Sequence, residues 1–150
     1  LQVAPVKPCA AVLDCLAATR NRIPAGIDIA DGEYAYTIGY VRRMPDAHAV
    51  DVQQADMTRC GGITAFLQIA ALCEAFHVYL SGHCAPALHL HVACASPRLR
   101  HLEWFHDHVR IEHMLFDGAP IPKNGRIQPD LTRPGNGLVF KEQDAARYAA

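Results

Sequence analysis

Apolar residues recur along the chain with two different periods, and segments of the two kinds alternate. Short runs that alternate or are rich in β-branched residues predict strands over 25–31, 50–55, 77–80 and 100–105. Stretches with apolar residues at helical spacing predict helices over 9–22, 36–44, 63–76 and 85–95. Pro45 is expected to stop the second helix, because proline disrupts a helix interior.

The remainder of the chain has a different character. Residues 117–137 are rich in proline and glycine and predict a looped excursion with a small hairpin, and 142–148 predict a short helix. Alternation of strands and helices is typical of a parallel sheet with helical crossovers. We therefore expect one α/β domain over residues 1–150, in which the loops form a C-terminal extension.

Composition narrows the class of protein. The 150 residues are 51% hydrophobic and 19% charged, with a net charge of −1, which is typical of a globular domain and does not predict a nucleic-acid or membrane surface. No apolar run reaches the roughly 18 residues that a membrane span needs. The six cysteines include no C-x-x-C pair, so free thiols and a cytoplasmic location are expected.

A polar residue of a catalytic type follows or ends each predicted strand. These residues are Glu33, Asp56, His83 and Glu103, separated by 23, 27 and 20 residues, each close to one β-α unit. Because the carboxyl ends of parallel strands meet at one edge of a sheet, the spacing predicts a single site.

Each member of this set has a functional and a structural interpretation. Glu33 suits a hard cation such as Mg²⁺, or it is a solvated loop residue. Asp56 and His83 form a carboxylate–imidazole pair for proton transfer, or a helix cap and a hydrogen-bonded histidine. Glu103 donates a proton or hydrogen bond from an apolar setting, or it points outward from its strand.

Other histidines and cysteines carry weaker signals. If the segment were extended, His106, His108 and His113 would suit a transition metal, but no cysteine lies at zinc-finger spacing from them. Cys60 and Cys84 flank the predicted site. A nucleophilic cysteine would need a base and electropositive surroundings, and neither cysteine is assigned that role.

Three segments of this sequence resemble the C-terminal barrel of the enolase superfamily, and the mandelate racemase-like branch is the most similar. They are 54–64 (QADMTRCGGIT), 81–83 (SGH) and 101–103 (HLE). Gly32-Glu33, Pro129-Asp130 and 134–138 (PGNGL) also fit the pattern, so the resemblance covers nearly the whole chain.

The resemblance implies the second half of a (β/α)₈ TIM-type barrel, from about the end of the fourth strand to the eighth. Members abstract the proton α to a carboxylate and stabilise the enolate on Mg²⁺. It further implies that Glu33 is a metal ligand, that Asp56 and His83 are the general acid–base dyad, and that Glu103 hydrogen-bonds the substrate carboxylate. Arg59 is a candidate for substrate binding.

One departure from the pattern concerns the metal. The family's second metal carboxylate precedes a proline, and here Val3 or Ala4 stands at that place before Pro5. The first metal carboxylate, the lysine motif and the capping domain have no counterpart in these residues, and the chain is expected to be a cut from a longer protein. Half a barrel also leaves sheet edges that need covering.

Three interpretations follow. The chain is part of a Mg²⁺-dependent enzyme acting on a carboxylate-containing small molecule such as a sugar acid, either a dehydratase, which is preferred, or a racemase or epimerase. Alternatively it is a truncated, inactive product. The third interpretation is a non-catalytic half-barrel that self-associates into homo-oligomers to cover its edges.

Overall fold

Four short parallel strands form the central sheet of the computed structural model, which describes residues 10–149. The strands lie in chain order across the sheet: β1 Ala30–Asp31, β2 Val52–Ala55, β3 Tyr79–Gly82 and β4 Leu99–Leu102. Each strand pairs in parallel with the next, as the alternation of periods predicts. This order is that of consecutive β-α units in a barrel wall.

Helices connect the strands and continue beyond them. They are α1 Ala10–Arg20, α2 Ile38–Asp46, α3 Gly62–Ala75, α4 Pro86–Cys94, α5 His106–Leu115 and α6 Glu142–Ala145, the last followed by a 3₁₀ turn at Ala146–Tyr148. The predicted α/β class is confirmed, and the sheet with its helices matches the C-terminal half of a TIM barrel.

The hydrophobic core lies between the sheet and helices α2 to α4. Phe66 and Ile69 of α3 are fully buried there, together with Leu80 of β3 and Val41 of α2. Removing side chains of this size from water contributes about 1.5 to 3 kcal/mol each. The core therefore fixes α3 against β2 and β3, the two strands that carry Asp56 and His83.

Four predicted elements differ from the structure. The strand predicted over 77–80 lies at Tyr79–Gly82, and the one predicted over 100–105 lies at Leu99–Leu102. The second helix continues through Pro45 to Asp46, because in the last turn a proline removes only one internal hydrogen bond. The strand predicted over 25–31 is paired only at Ala30 and Asp31, and Ile27 is exposed at this edge of the sheet. The apolar alternation before Ala30 therefore does not extend the sheet.

Helix α5 was not predicted, and it replaces the extended segment that would have brought three histidines together. This helix opens with the polar residues His106-Asp107-His108, and only Val109 of it is buried, so little in its first turn marks it as a core-facing helix. Asp107 in its first turn and His113 in its last turn interact favourably with the helix dipole. This charge pattern is the feature of the sequence that could have predicted the helix.

The C-terminal extension consists mainly of loops. Strands β5 Phe116–Asp117 and β6 Val139–Phe140 pair antiparallel. In the loop that connects these two strands, Lys123 pairs with Arg126 in an isolated antiparallel β-bridge. This agrees with the predicted looped excursion and small hairpin. Among residues 10–149, no helix is both long enough and apolar enough to cross a membrane.

Gly32 positions Glu33 immediately after β1, and its backbone has a left-handed φ of +124°. A Cβ at this position would contact the Gln53 amide and would lie 2.7 Å from the carbonyl oxygen of Gln54. Glycine is therefore required here both by the φ angle and by the close approach of β2.

Replacing Gly32 by alanine should destabilise the chain by about 2 to 3 kcal/mol, because a strained φ and a backbone clash add together. Gly26→Ala is the matched control, since Gly26 also has a positive φ but has no neighbour within 4 Å of its added Cβ. Urea denaturation followed by circular dichroism measures both. An equal loss for the two variants would contradict the steric argument.

Candidate active site

The four predicted strand-end residues do converge at one edge of the sheet. Asp56 follows β2 directly, His83 follows β3 and Glu103 follows β4. The backbone ladder continues through them, since the His83 N–H donates to the Ala55 carbonyl at 2.9 Å and the Glu103 N–H donates to the Gly82 carbonyl at 3.0 Å. Their side chains are therefore placed by the sheet itself.

Asp56 and His83 are in direct contact. The Nδ1 atom of His83 lies 3.0 Å from Oδ2 of Asp56, and both residues are buried. An ionised carboxylate only accepts hydrogen bonds, so Nδ1 carries the proton and Nε2 is the nitrogen that faces the cleft. This is the arrangement in which a carboxylate orients an imidazole for proton transfer.

The second oxygen of Asp56 is held by a residue that the sequence analysis did not assign. Thr58 donates to Oδ1 from its backbone N–H at 2.8 Å and from its hydroxyl at 2.6 Å. Burial raises the pKa of Asp56, but hydrogen bonds from Thr58 and His83 hold that pKa below its ordinary value. Asp56 is therefore ionised at neutral pH. The Asp-x-Thr spacing was the available signal.

Glu33 contacts the other nitrogen of the same imidazole. Its Oε2 atom lies 2.7 Å from Nε2 of His83, so the ring is held between two carboxylates. The Glu33 contact must open before Nε2 can accept a proton from another molecule.

Glu103 lies nearby and is fixed by two hydrogen bonds. Its Oε1 atom accepts from the Gln54 amide at 2.5 Å, and its Oε2 atom accepts from the Cys84 N–H at 3.2 Å. Oε2 is 3.9 Å from Nε2 of His83. The outward-pointing interpretation of Glu103 is wrong, because Gln54 and Cys84 hold its carboxylate at the same edge as Asp56 and His83.

Arg59 lies beside the carboxylates rather than apart from them. Its Nε atom is 3.5 Å from Oδ2 of Asp56, it donates to the Glu33 carbonyl at 3.2 Å, and its guanidinium stacks on the Tyr34 ring. It compensates part of the negative charge that Glu33, Asp56 and Glu103 bring to this edge. Its role in binding substrate stays a prediction.

His89 supports the site from behind. It is fully buried in α4, and its Nε2 accepts from the Met57 N–H at 2.9 Å while Nδ1 faces the Ala85 carbonyl at 3.0 Å. Burial lowers the pKa of His89, so the ring is neutral with its proton on Nδ1. It thereby fixes the turn that follows Asp56.

A cleft of about 560 Å³ opens above these groups. Its lining comprises Glu33, Tyr34, Arg59, His83, Cys84, Glu103, Trp104, Phe105 and His108. The lining therefore combines charged groups with aromatic rings, which is a usual composition for a pocket that binds a small polar molecule.

The match to a family model extends over nearly the whole chain. Residues 5–145 match the model described as enolase C-terminal domain-like, so this chain belongs to that family. The predicted relationship to the enolase superfamily and its mandelate racemase-like branch is confirmed.

Two curated relatives carry dehydratase names. A D-gluconate dehydratase from Thermoproteus tenax is 41% identical over 106 residues, covering 67% of this chain and 21% of that protein. A protein of Caldivirga maquilingensis named "Putative L-rhamnonate dehydratase" is 32% identical over 117 residues, covering 73% of this chain and 29% of that protein. The chain thus spans less than a third of the length of either relative.

Solved structures show the same partial overlap. A mandelate racemase/muconate lactonizing enzyme-like protein from Rubrobacter xylanophilus is 46% identical with a TM-score of 0.85, covering 90% of this chain and 37% of that one. L-talarate dehydratase from Polaromonas sp. JS666, complexed with Mg and L-glucarate, is 32% identical with a TM-score of 0.77, covering 89% and 36%. A racemase from Streptomyces coelicolor A3(2) with bound magnesium is 25% identical with a TM-score of 0.78, covering 92% and 36%.

The described residues do not by themselves fit a complete magnesium site. Mg²⁺ requires oxygen ligands in near-octahedral geometry. Among residues 10–149, Glu33 and Glu103 are the only carboxylates that line the cleft, and Oε2 of Glu33 is paired with Nε2 of His83 while Oε1 of Glu103 accepts from Gln54. Two partly engaged carboxylates do not fill six oxygen positions. Val3 and Ala4 lie outside the described residues, and neither side chain has an oxygen ligand.

Thr58→Val should destabilise the chain by about 1 kcal/mol at neutral pH, because it removes a hydrogen bond to an ionised, buried carboxylate. A carboxyl group whose pKa is lowered by folding adds stability above its unfolded pKa and loses that contribution as the pH falls through its folded pKa. The difference between Thr58→Val and wild type should therefore narrow as the pH is lowered below about 4. Urea denaturation across this pH range measures the effect.

Thr132→Val is the matched control, since Thr132 makes the same 2.6 Å hydroxyl contact to Asp130 in an exposed loop. Solvent competes with that hydrogen bond, so the control should lose less stability. An equal, pH-independent loss in both variants would contradict the role of Thr58 at Asp56.

Proposed function

We propose that this chain is part of an acid-sugar dehydratase, in which the Asp56–His83 dyad transfers a proton at the carbon α to a carboxylate or at the departing hydroxyl. The observation that carries the proposal is the 3.0 Å contact between Asp56 and Nδ1 of His83, with Nε2 facing the cleft. A carboxylate–imidazole pair in a cleft is suited to general acid–base catalysis.

The charged residues around His83 supply the other groups that this reaction needs. Asp56 keeps the proton on Nδ1 and stabilises the imidazolium that forms when Nε2 accepts a proton. Glu103 is held by Gln54 and the Cys84 N–H beside Nε2, where it can hydrogen-bond a substrate carboxylate or hydroxyl if it carries a proton. Arg59 adds a positive charge close to the same groups.

Relatives support a dehydratase over a racemase. The two curated relatives described above carry dehydratase names, at 41% and 32% identity. Elimination needs a group that donates a proton to the departing hydroxyl, and the imidazolium of His83 is such a donor. A racemase or epimerase remains the second candidate, because the Streptomyces coelicolor racemase has the same fold.

Dehydration of a panel of acid sugars tests the proposal. It should be measured with the 150-residue chain and with the complete product of its gene, should that product be longer. His83→Asn and Asp56→Asn should each reduce kcat by at least about a hundredfold, since they remove the proton-transfer group and its orienting partner. Formation of the keto product is the readout.

Two substitutions of the same type control for unspecific damage. The controls are His77→Asn and Asp14→Asn. His77 precedes β3, at the end of the strand opposite His83, and has a left-handed backbone conformation that asparagine tolerates, and Asp14 is exposed on α1. Both should keep full turnover. If His83→Asn and Asp56→Asn also kept it, the dyad would not be the catalytic pair, and inversion of a substrate stereocentre without loss of water would favour the racemase.

The incomplete set of oxygen ligands leads to a prediction about Mg²⁺ binding by the 150-residue chain. Isothermal titration with Mg²⁺ should show no saturable binding up to roughly millimolar concentration, because the carboxylates of the cleft, Glu33 and Glu103, supply too few oxygen ligands for an octahedral ion. A saturable heat that is lost in Glu33→Gln and kept in Glu142→Gln, an exposed control, would contradict this expectation and assign a working magnesium ligand to Glu33.

Failure of both the 150-residue chain and any longer gene product to dehydrate an acid sugar would favour the alternative that the chain is a truncated, inactive product. Val3 and Ala4 support that alternative, as they replace the acid that the family pattern has before a proline. Self-association to cover the outer edges of β1 and β4 is the third hypothesis, and size-exclusion chromatography tests it.

A further inference from the structure

Three donor atoms of different chemistry converge at the carboxyl ends of β3 and β4. They are Nε2 of His83, Sγ of Cys84 and a carboxylate oxygen of Glu103, all within 4.8 Å of one another. Nitrogen, sulfur and oxygen together are not the ligand set of Mg²⁺, which prefers oxygen alone. They are the ligands by which proteins bind zinc and related ions.

The distances between these atoms are close to those of a tetrahedral site. Sγ of Cys84 is 3.4 Å from Nε2 of His83 and 3.8 Å from Oε2 of Glu103, and the nitrogen and oxygen are 3.9 Å apart. Metal–ligand bonds of 2.0 to 2.3 Å place neighbouring ligands about 3.3 to 3.5 Å apart. A contraction of roughly half an ångström in two of the three distances would complete the geometry.

An unusual backbone conformation brings the sulfur to this point. Successive side chains in a strand face opposite sides of a sheet, so His83 and Cys84 would normally diverge. Cys84 has a φ of +49° and Ala85 a φ of +38°, both in the left-handed region that non-glycine residues rarely adopt. Strain of this kind is often found at functional sites, and here it turns the thiol back toward the imidazole.

The surroundings already orient two of the three ligands. Asp56 accepts the Nδ1–H of His83, which is the carboxylate–histidine arrangement that supports bound metals. Glu103 is fixed by Gln54 and by the Cys84 N–H. The ligands line the cleft, so an ion has a route to them and a fourth position open to water.

We propose that His83 Nε2, Cys84 Sγ and Glu103 Oε2 bind a borderline divalent transition-metal ion, with Zn²⁺ or Co²⁺ as the probe, at a site different from the oxygen-only magnesium site of the family. The site has three protein ligands and one open position, which is the pattern of zinc sites that bind a water or substrate. Glu33 must release Nε2 of His83 for the ion to bind.

Binding also displaces the thiol proton of Cys84 to solvent, because a thiolate is the ligand. Burial and the neighbouring Glu103 raise the pKa of Cys84 to about 11, so the thiol is protonated before the ion arrives. The inference does not rest on the proposed dehydratase activity. An ion in this position would occupy the nitrogen on which that activity depends.

Cobalt titration of the full 150-residue chain tests the site. Wild type should develop an intense visible spectrum of tetrahedral Co²⁺ with a thiolate-to-cobalt charge-transfer band in the near ultraviolet, and stoichiometric Zn²⁺ should bleach both. A large excess of Mg²⁺ should leave the spectrum unchanged. Circular dichroism before and after titration establishes that each protein is folded.

Cys84→Ser should lose the charge-transfer band, and Cys94→Ser, an exposed cysteine at the end of α4, should keep it. Glu103→Gln should keep the band but weaken cobalt affinity at least about tenfold. A folded wild type without the band, a Cys84→Ser protein that retains it, or a Cys94→Ser protein that loses it would each overturn the proposal. The readout is spectroscopic, so loss of acid-sugar turnover alone does not affect it.

Discussion

The buried carboxylate of Asp56 is the group through which the candidate site is held together. One oxygen accepts both donors of Thr58, and the other faces Nδ1 of His83 and lies near Arg59. Burying a charge is costly unless it is hydrogen-bonded, and these contacts offset that cost. Because the Thr58 contacts close the turn into α3, the same carboxylate fixes the local backbone and the orientation of the imidazole.

The register of the sheet determines which side chains reach that carboxylate. Between β3 and β4 the pairing shifts, so that Leu80 faces Leu99 but Ser81 faces His101, and Arg100 is an extra residue in β4. A shift of one residue exchanges the two faces of a strand. Without the extra residue, Glu103 would have the opposite parity relative to His83 and would not share its side of the sheet.

These features explain why the sequence predicts some parts of the molecule and not others. The site could be predicted because Asp56, His83 and Glu103 recur at the spacing of β-α units near the ends of predicted strands, and parallel topology brings such residues together. The register shift leaves no mark in hydrophobic periodicity. The position of the Cys84 thiol beside His83 could not be predicted either, since it depends on a left-handed backbone after β3, and helix α5 was missed because it opens with polar residues.

Glu33, a substrate proton and a metal ion all compete for a single atom, Nε2 of His83. Nδ1 is committed to Asp56, so Nε2 can face Glu33, a substrate proton or a metal ion, but only one at a time. Glu33 occupies it in this structure and leaves the ring between two carboxylates. Whatever draws Glu33 away therefore selects the chemistry. A hard cation would do so by binding Glu33 itself, whereas a softer ion would do so by binding the imidazole and the thiol of Cys84.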